Sequence, residues 1–577
     1  MHLYGLNLDE LIRWWPNGSP FSRLRFFEGT QLSPTSRGEL NWLKMHVSGW
    51  ALVKDEYSTD YVAGQDNFQR YGLDLHAPVF PITAILIVLF VVGTLMFPGQ
   101  SKELLDGLKL DIIDTFDWFF LLSANLFVVV CLALIFMPAG KIRLGGMDAK
   151  PEFSYMSWFS MLFAAGMGIG LLFWGVAEPA AYYTGWFETP FNVTPNTPAA
   201  ENLAMGATMY HWGLHAWAIY AIVALSLAFF AFNKGMPLTI RSAFFPLLGD
   251  KVWGWPGHVI DILAVVATIF GLATSLGFGA QQAASGINYL FETGSGINVQ
   301  MAIIVGVTAL ALISVLRGLD GGVKILSNIN MALAGILLFF VIFAGPTMAI
   351  LETLWITSSS YVVNVIPLSN PFGREDEAWF HGWTVFYWAW WISWSPFVGM
   401  FIARVSKGRT VREFITAVLL IPTLITVVWM SGFGGSALEQ IQQGVGALAE
   451  EGLTDVSLAM FQMFANLPFS AILSFVGIVL VIVFFVTSSD SGSLVIDSIT
   501  AGGKTDAPTV QRVFWVVMEG AIAAALIFGG GDNALGAIQA AAISAGLPFT
   551  VILLCMTWGL LKGLTHEHKL LVARGEM

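Results

Sequence analysis

Trp390, Trp391 and Trp394 fall within one turn and a half of a single apolar run, WAWWISWSPF, just before Pro396. A second aromatic series, Trp212, Trp217 and Tyr220, lies in an earlier run. Tryptophans of membrane proteins normally gather in belts at the two interfaces, which accounts for many of the 22 here but not for rings in mid-run. Indole faces attract quaternary ammonium and similar soft cations by about 2 kcal/mol or more when desolvated. The chemistry these residues suggest is therefore a cage for a methylated onium group. A third feature is AAGMGIG, with Gly166, Gly168 and Gly170 at every second position. Each glycine costs about 1 kcal/mol of helix propensity. Close packing through small residues is one explanation. The functional one is an unwound segment, Gly166, Met167, Gly168, Ile169 and Gly170, whose free N–H and C=O groups face a ligand or ion. No Lys or Arg stands in the middle of an apolar run, so a substrate carboxylate is expected to use those backbone N–H groups.

The elements that must position these residues are membrane helices. Of 577 residues, 56% are hydrophobic and 11% charged, less than half the charged fraction of soluble domains. That excludes a soluble enzyme, a disordered chain and a nucleic-acid binder, and the net charge of -12 also argues against nucleic acid. Cys131 and Cys555 both sit in apolar runs and build no disulfide framework. Runs of about 20 apolar residues cross a bilayer as helices. We read twelve: 79–97, 118–136, 156–176, 203–231, 259–290, 301–315, 329–349, 379–405, 414–433, 469–489, 513–529 and 535–561. With a cytoplasmic N-terminus, only Lys102, Lys109 and Arg374 of the 27 Lys and Arg fall on external connections, which places both termini inside. Residues 1–77 form a polar extension without a secretory h-region, with Trp14-Trp15 and Phe26-Phe27 suggesting interfacial anchoring. The third and eighth spans each carry a break signal, the glycines and Pro396. They begin two five-helix sets, a pattern that points to an inverted repeat with a site between its halves.

Other signals are weaker. His211 and His215 lie at i and i+4 and mimic a metal pair, but a di-iron oxygenase needs several such boxes. Gly502-Gly503-Lys504-Thr505 resembles the tail of a phosphate loop, yet the first required glycine is Ser498. Asp490, Asp497 and Glu519 are acids in or near spans ten and eleven, read equally as functional carboxylates or as caps and packing partners.

Gly166–Gly170 with Glu178-Pro179, the run from Trp383 to Phe414, and Thr487-Ser488-Ser489-Asp490-Ser491 together resemble the betaine/choline/carnitine transporter family. The resemblance spans residues 78–562. It implies an all-α integral membrane protein of the leucine-transporter fold, with no enzymatic activity: two peripheral helices (78–150), a first repeat (151–355), a second (377–561) and a short tail (562–577). It also implies a homotrimer in contact with membrane lipid, with the polar stretch 317–330 as an amphipathic interface helix. Carried over residue by residue, it makes Trp390, Trp391 and Trp394 substrate tryptophans, puts Phe401 on the inward route, and makes Trp212, Trp217 and Tyr220 the facing aromatic box. A sodium site would use carbonyls of Ala164, Met167 and Phe484 and hydroxyls of Thr487 and Ser488, hard oxygen donors that suit a small cation. A second would use Thr268 with Phe397, although the family's partner threonine is Leu272 here, which leaves a two-sodium stoichiometry open.

The expected function is sodium-coupled import of a zwitterionic onium compound across the cell (inner) membrane. Glycine betaine comes first and dimethylsulfoniopropionate second, with choline and carnitine behind. No cofactor is expected beyond sodium as coupling ion. A membrane sensor and an intramembrane oxidoreductase are the disfavoured alternatives. The tail 562–577 is short and balanced in charge, so strong osmotic gating through basic contacts to anionic lipid is not expected.

Overall fold

The computed structural model describes residues 55–166, 168–317 and 323–577. Trp14-Trp15, Phe26-Phe27, Met167 and part of the 317–330 stretch lie outside them.

Each of the twelve apolar runs contains a helix. In hydrocarbon only a helix satisfies every backbone group within its own segment. The numbered helices are α1 (Val79–Met96), α2 (Pro98–Phe136), α3 (Tyr155–Gly166), α4 (Ile169–Thr184), α5 (Pro198–Trp212), α6 (Leu214–Ala228), α7 (Trp255–Phe291), α8 (Ile297–Arg317), α9 (Val323–Ala344), α10 (Thr347–Leu368), α11 (Phe386–Val405), α12 (Val411–Gln442), α13 (Ser470–Thr500), α14 (Thr509–Gly530) and α15 (Ala534–Ala573). Among the described residues eleven helices are long and apolar enough to cross a membrane, twelve when the bent pair α3/α4 counts as one span. The protein is an all-α, multi-pass membrane protein; its two short strands lie in the extension before α1.

The third span breaks where the glycines predict. Helix axes on either side turn by 68°, and Gly168 takes an extended backbone (φ -157, ψ -141). Carbonyls in the first turn beyond the break are met by side chains of other helices: Gln282 donates to Leu171's neighbour Leu172 at 2.8 Å and Trp429 donates to Leu171 at 3.2 Å.

The eighth span does not break at its proline, contrary to expectation. α11 runs unbroken through Pro396. Proline removes the N–H that would serve the carbonyl four residues back, here Ile392, and the Ser395 hydroxyl donates to that same carbonyl at 2.7 Å. The irregular part lies one turn before α11, a π-helix over Phe380–Val385. The second break falls instead in the fourth span. There α5 and α6 part at Gly213 (φ -101, ψ -134), and Tyr361 of α10 accepts from the Leu214 N–H at 2.9 Å.

Two further differences concern α9 and α10. Residues 323–330 of the expected amphipathic stretch are the first turns of the seventh-span helix rather than a separate element. α10 was not among the twelve runs, because Ser358-Ser359-Ser360 and Asn364 interrupt its apolar pattern. Two of these hydroxyls fold back onto their own helix, Ser358 to Leu354 O and Ser359 to Trp355 O, both at 2.8 Å, and Ser360 donates to Asn202 O of α5 at 2.6 Å, so their polarity does not prevent helix formation. α10 packs against α5 and α12.

The extension before α1 is a docked strap. Strands β1 (Asn67–Arg70) and β2 (Leu73–His76) form an antiparallel hairpin. The turn after α13, where Gly502 and Gly503 have φ of 66° and 88°, receives it: Gly64 N–H donates to Gly502 O at 3.1 Å and Asn67 to Ala501 O at 2.8 Å. Lys504 of the apparent phosphate-loop tail instead pairs with Asp74 at 2.5 Å. Upstream, Asp55 pairs with Lys234 at 2.8 Å, and Lys234 in turn pairs with Glu567 at 2.6 Å. Tyr61 stacks on Trp253, 4.2 Å between centroids. The last-span helix continues as α15 into the tail to Ala573, so the tail presents His566 to Asp55 of the strap and Glu567 to Lys234 behind it.

Candidate functional site

The aromatic residues picked out from sequence converge. Trp390 and Trp391 stack on α11 with centroids 4.7 Å apart and planes within 14°. Trp212 meets Trp391 edge-on at 4.9 Å, and Tyr220 meets it at 6.0 Å. Trp394 completes the set 6.3 Å from Tyr220, with Phe397 5.5 Å beyond. Trp217 stands edge-on to Tyr220 at 5.5 Å. All but Phe401, which is partly buried further along α11, are buried.

The glycines face this cluster. A β-carbon on Gly166 would lie 2.3 Å from the Trp217 ring, and one on Gly170 would lie 2.7 Å from Trp212 and 2.9 Å from Trp390. Gly168 has more room: its β-carbon would stand 3.8 Å from the Ser488 hydroxyl and 4.0 Å from Trp394. Only a chain without side chains at 166 and 170 permits this approach. Ile169, between the glycines, points away and packs beside Gly279 of α7.

Polar satisfaction within the cluster is uneven. Trp212 Nε1 donates to Glu178 at 2.7 Å and Trp391 Nε1 to the His211 carbonyl at 2.9 Å. Nε1 of Trp390 and of Trp394, and the Tyr220 hydroxyl, are buried without a partner among the described residues. Orphaned buried donors are costly.

Beside Gly168, α13 brings Phe484, Thr487 and Ser488. A void of about 10 Å³, the room of a single water-sized sphere, is lined by Gly168, Phe484, Leu171 and Met331 among others. The Thr487 hydroxyl donates to Val483 O at 3.0 Å and accepts from Asn330 of α9 at 3.2 Å. Ala164 ends the regular part of α3. Thr268 likewise donates its hydroxyl to the carbonyl four residues back, Ala264 O at 2.6 Å, while Leu272 lies against Gly492.

A larger cavity of about 970 Å³ opens at one end of the helices, lined by Phe173, Gln281, Ser285, Asp455 and Asn533 among others. From its floor, Phe173 stacks on Phe278 at 4.8 Å, and Phe278 meets Trp390 at 5.3 Å.

A family model for betaine/carnitine/choline transporters matches residues 78–569. The chain belongs to that family. It is a transporter and not an enzyme. Glycine betaine transporter 1 of Vibrio parahaemolyticus is 64% identical over 519 residues, 89% of this chain and 99% of the relative. A glycine betaine/proline/choline/ectoine transporter of the same organism is 59% identical, over 88% of this chain and 91% of the relative. The glycine betaine transporter OpuD of Bacillus subtilis is 43% identical, over 85% and 95%.

Several residues at the aromatic cluster carried no role in the sequence reading. Glu178 appeared there only as part of a motif; it accepts from Trp212, Tyr387, Tyr182 and His211. The i, i+4 spacing of His211 and His215 misleads, because Gly213 divides them. His211 turns to Glu178 and Thr384, whereas His215 meets Asn125 of α2 at 3.0 Å. The buried acids of spans ten and eleven pair locally: Asp490 with Arg512 and Ser314, and Glu519 with Ser489.

Proposed function

We propose that this transporter imports glycine betaine, coupled to sodium, by alternating access in the cell (inner) membrane. The observation that carries the reading is the cage, which offers stacked indole faces beside two buried indole N–H groups that have no acceptor. Faces of Trp390, Trp391 and Trp394, with Trp212, Trp217 and Tyr220 opposite, suit the trimethylammonium head. The free N–H groups of Trp390 and Trp394, with the opened backbone from Gly166 to Gly170, suit the carboxylate, and such a pairing would satisfy donors that are otherwise orphaned. The names of the relatives support the same substrate.

The sodium ion fits best beside Gly168, using carbonyls of Ala164, Met167 and Phe484 and the hydroxyls of Thr487 and Ser488; a β-carbon on Gly168 would stand 3.8 Å from the Ser488 hydroxyl and 3.9 Å from the Phe484 ring, so these elements adjoin. The Thr268–Phe397 site is weaker, since Leu272 offers no oxygen there. The broken third span, at the start of the first five-helix set, is where the two repeats would move against each other, with Phe401 on the inward route. Both termini are placed in the cytoplasm, and a homotrimer in lipid is the proposed assembly.

A broader range is the second reading, favoured by the 59% identical relative whose name includes proline, choline and ectoine. Uptake of labelled glycine betaine into proteoliposomes, with dimethylsulfoniopropionate, choline, carnitine and ectoine as competitors, separates the two. Under the first reading glycine betaine and the sulfonium compete best. Thr487→Ala with Ser488→Ala raises the sodium concentration for half-maximal uptake about tenfold, equivalent to about 1.4 kcal/mol. Uptake undiminished without sodium would sink the coupling.

A further inference from the structure

Glu178 lies on α4 two turns beyond Gly170 and is fully buried. A carboxylate is an acceptor with about four lone-pair sites, and four donors meet this one. Oε1 receives the Tyr182 hydroxyl and His211 Nδ1, each at 2.9 Å; Oε2 receives Trp212 Nε1 at 2.7 Å and the Tyr387 hydroxyl. His211 is itself held, with Nε2 2.9 Å from the Thr384 hydroxyl and its ring stacked on Tyr387 at 4.6 Å and on Trp379 at 5.5 Å. The His211 carbonyl takes the Trp391 indole. Two cage rings therefore owe their orientation to one Glu178–His211 unit, one through the side chain and one through the backbone.

The charge on that unit matters as much as its geometry. Arg374 lies beyond the Trp379 ring, 5.6 Å from its centroid, and is neutralised by Asp376 at 2.7 Å. An indole whose N–H donates to an anion gains electron density on its faces, and the anion's own field reaches further in a low-dielectric interior than in water. We propose that Glu178 is a positioning residue that supplies the cage with its counter-charge, so that the site prefers a positively charged head over a neutral one of the same shape. Glu178 acts through Trp212 and does not itself touch the substrate.

This inference rests on the glycine betaine reading, and the test keeps the two apart. The probes are glycine betaine and 3,3-dimethylbutanoate, the isostere in which a carbon replaces the nitrogen, measured by equilibrium binding to purified protein. In the wild type glycine betaine binds and the isostere binds far more weakly. Glu178→Gln keeps the shape and removes the charge: glycine betaine is expected to weaken about tenfold or more, a step of about 1.4 kcal/mol, while the isostere holds or improves. The ratio between the ligands thus collapses. Tyr387→Phe, which removes one donor and keeps the charge, leaves the ratio within about twofold. Should the glutamine variant not fold, Glu178→Asp and Glu178→Asn make the same comparison at equal length, and only the asparagine loses the ratio. Equal weakening of both ligands in the glutamine or asparagine variant would overturn the inference and leave Glu178 a packing residue. A wild type that binds no glycine betaine would overturn the underlying reading instead.

Discussion

The aromatic cage and the strap before α1 are held by opposite means. Every ring of the cage is buried on a helix, and its polar anchoring passes through one carboxylate and one backbone carbonyl. The strap is largely extended chain on the surface of the helix ends. It is fastened by scattered contacts to the chain after α6, the turn after α13 and the tail of α15. In the cage each group has one place to go, so a single change is felt throughout. In the strap the work is divided among several pairs, of which the more exposed, such as Lys504–Asp74, are each worth about 0–1 kcal/mol.

That contrast breaks most sharply at Gly166. Any side chain there must displace the Trp217 ring, whose nearest atom would be 2.3 Å away. Overpacking of a buried site costs about 1–3 kcal/mol, and Gly166→Leu is expected to reduce glycine betaine affinity by about 100-fold in equilibrium binding, with the helical circular dichroism spectrum unchanged. Unaltered affinity would mean that the glycine does not face the site.

Next come the tryptophans. Trp391→Leu and Trp394→Leu should each weaken binding by about 2 kcal/mol through loss of cation–π attraction, and the phenylalanine variants by less. Leucine and phenylalanine variants that bind alike would reduce these rings to packing.

The strap responds to acid instead. Burial acts to raise the Asp55 carboxyl, but its bond to Lys234 outweighs this and the pKa lies below 3.8. Asp74 is lowered in the same way, burial being outweighed by Lys504, Asn67 and Gln69. His76 is pushed down from 6.5 to about 3 by burial, then by Arg241 and His258. It faces Arg241 at 3.5 Å, and Arg241 is paired with Asp261. All three groups bind protons more readily undocked, so docking is favoured at high pH. The His76 contribution is complete above 6.5 and lost as pH falls towards 3; those of the carboxylates vanish below about 3.8. The protection factor over residues 55–77, the exchange rate taken against the intrinsic amide rate at each pH, should therefore fall from pH 7 to pH 4, and less so in His76→Asn. A protection factor that rises on acidification would refute the docking.

The smallest effect belongs to one strap pair. Lys504→Ala should raise exchange of the hairpin by no more than about 1 kcal/mol, because Asn67, Gln511 and the Gly64–Gly502 bond remain. A complete release would show that the strap hangs on a single ion pair.

Helix-forming runs and aromatic clusters were legible in the sequence because they depend on local pattern: apolar length for the spans, ring identity and spacing for the cage, alternate glycines for the break in the third span. Hidden were the features in which a distant group supplies what a local one lacks. Pro396 reads as a break until Ser395 is seen to serve Ile392, and Gly213 reads as an ordinary helical glycine until Tyr361 fills the gap beside it. The serines of α10 interrupt its apolar pattern, and two of their hydroxyls turn back onto the helix while the third reaches α5.

The sequence by itself determined the class of molecule, most of the helices and the residues that make the cage, since composition and periodicity act over one helix at a time; α10, which is long and apolar enough to cross a membrane, was missed. Only the tertiary structure decided that Glu178 stands behind two of the rings, that His211 and His215 part company, and that Lys504 fastens a strap rather than a phosphate. The physical reason is common to all three. A buried polar group must find its partner wherever the fold brings one within about 3 Å, and for Lys504 that partner lies 430 residues away along the chain.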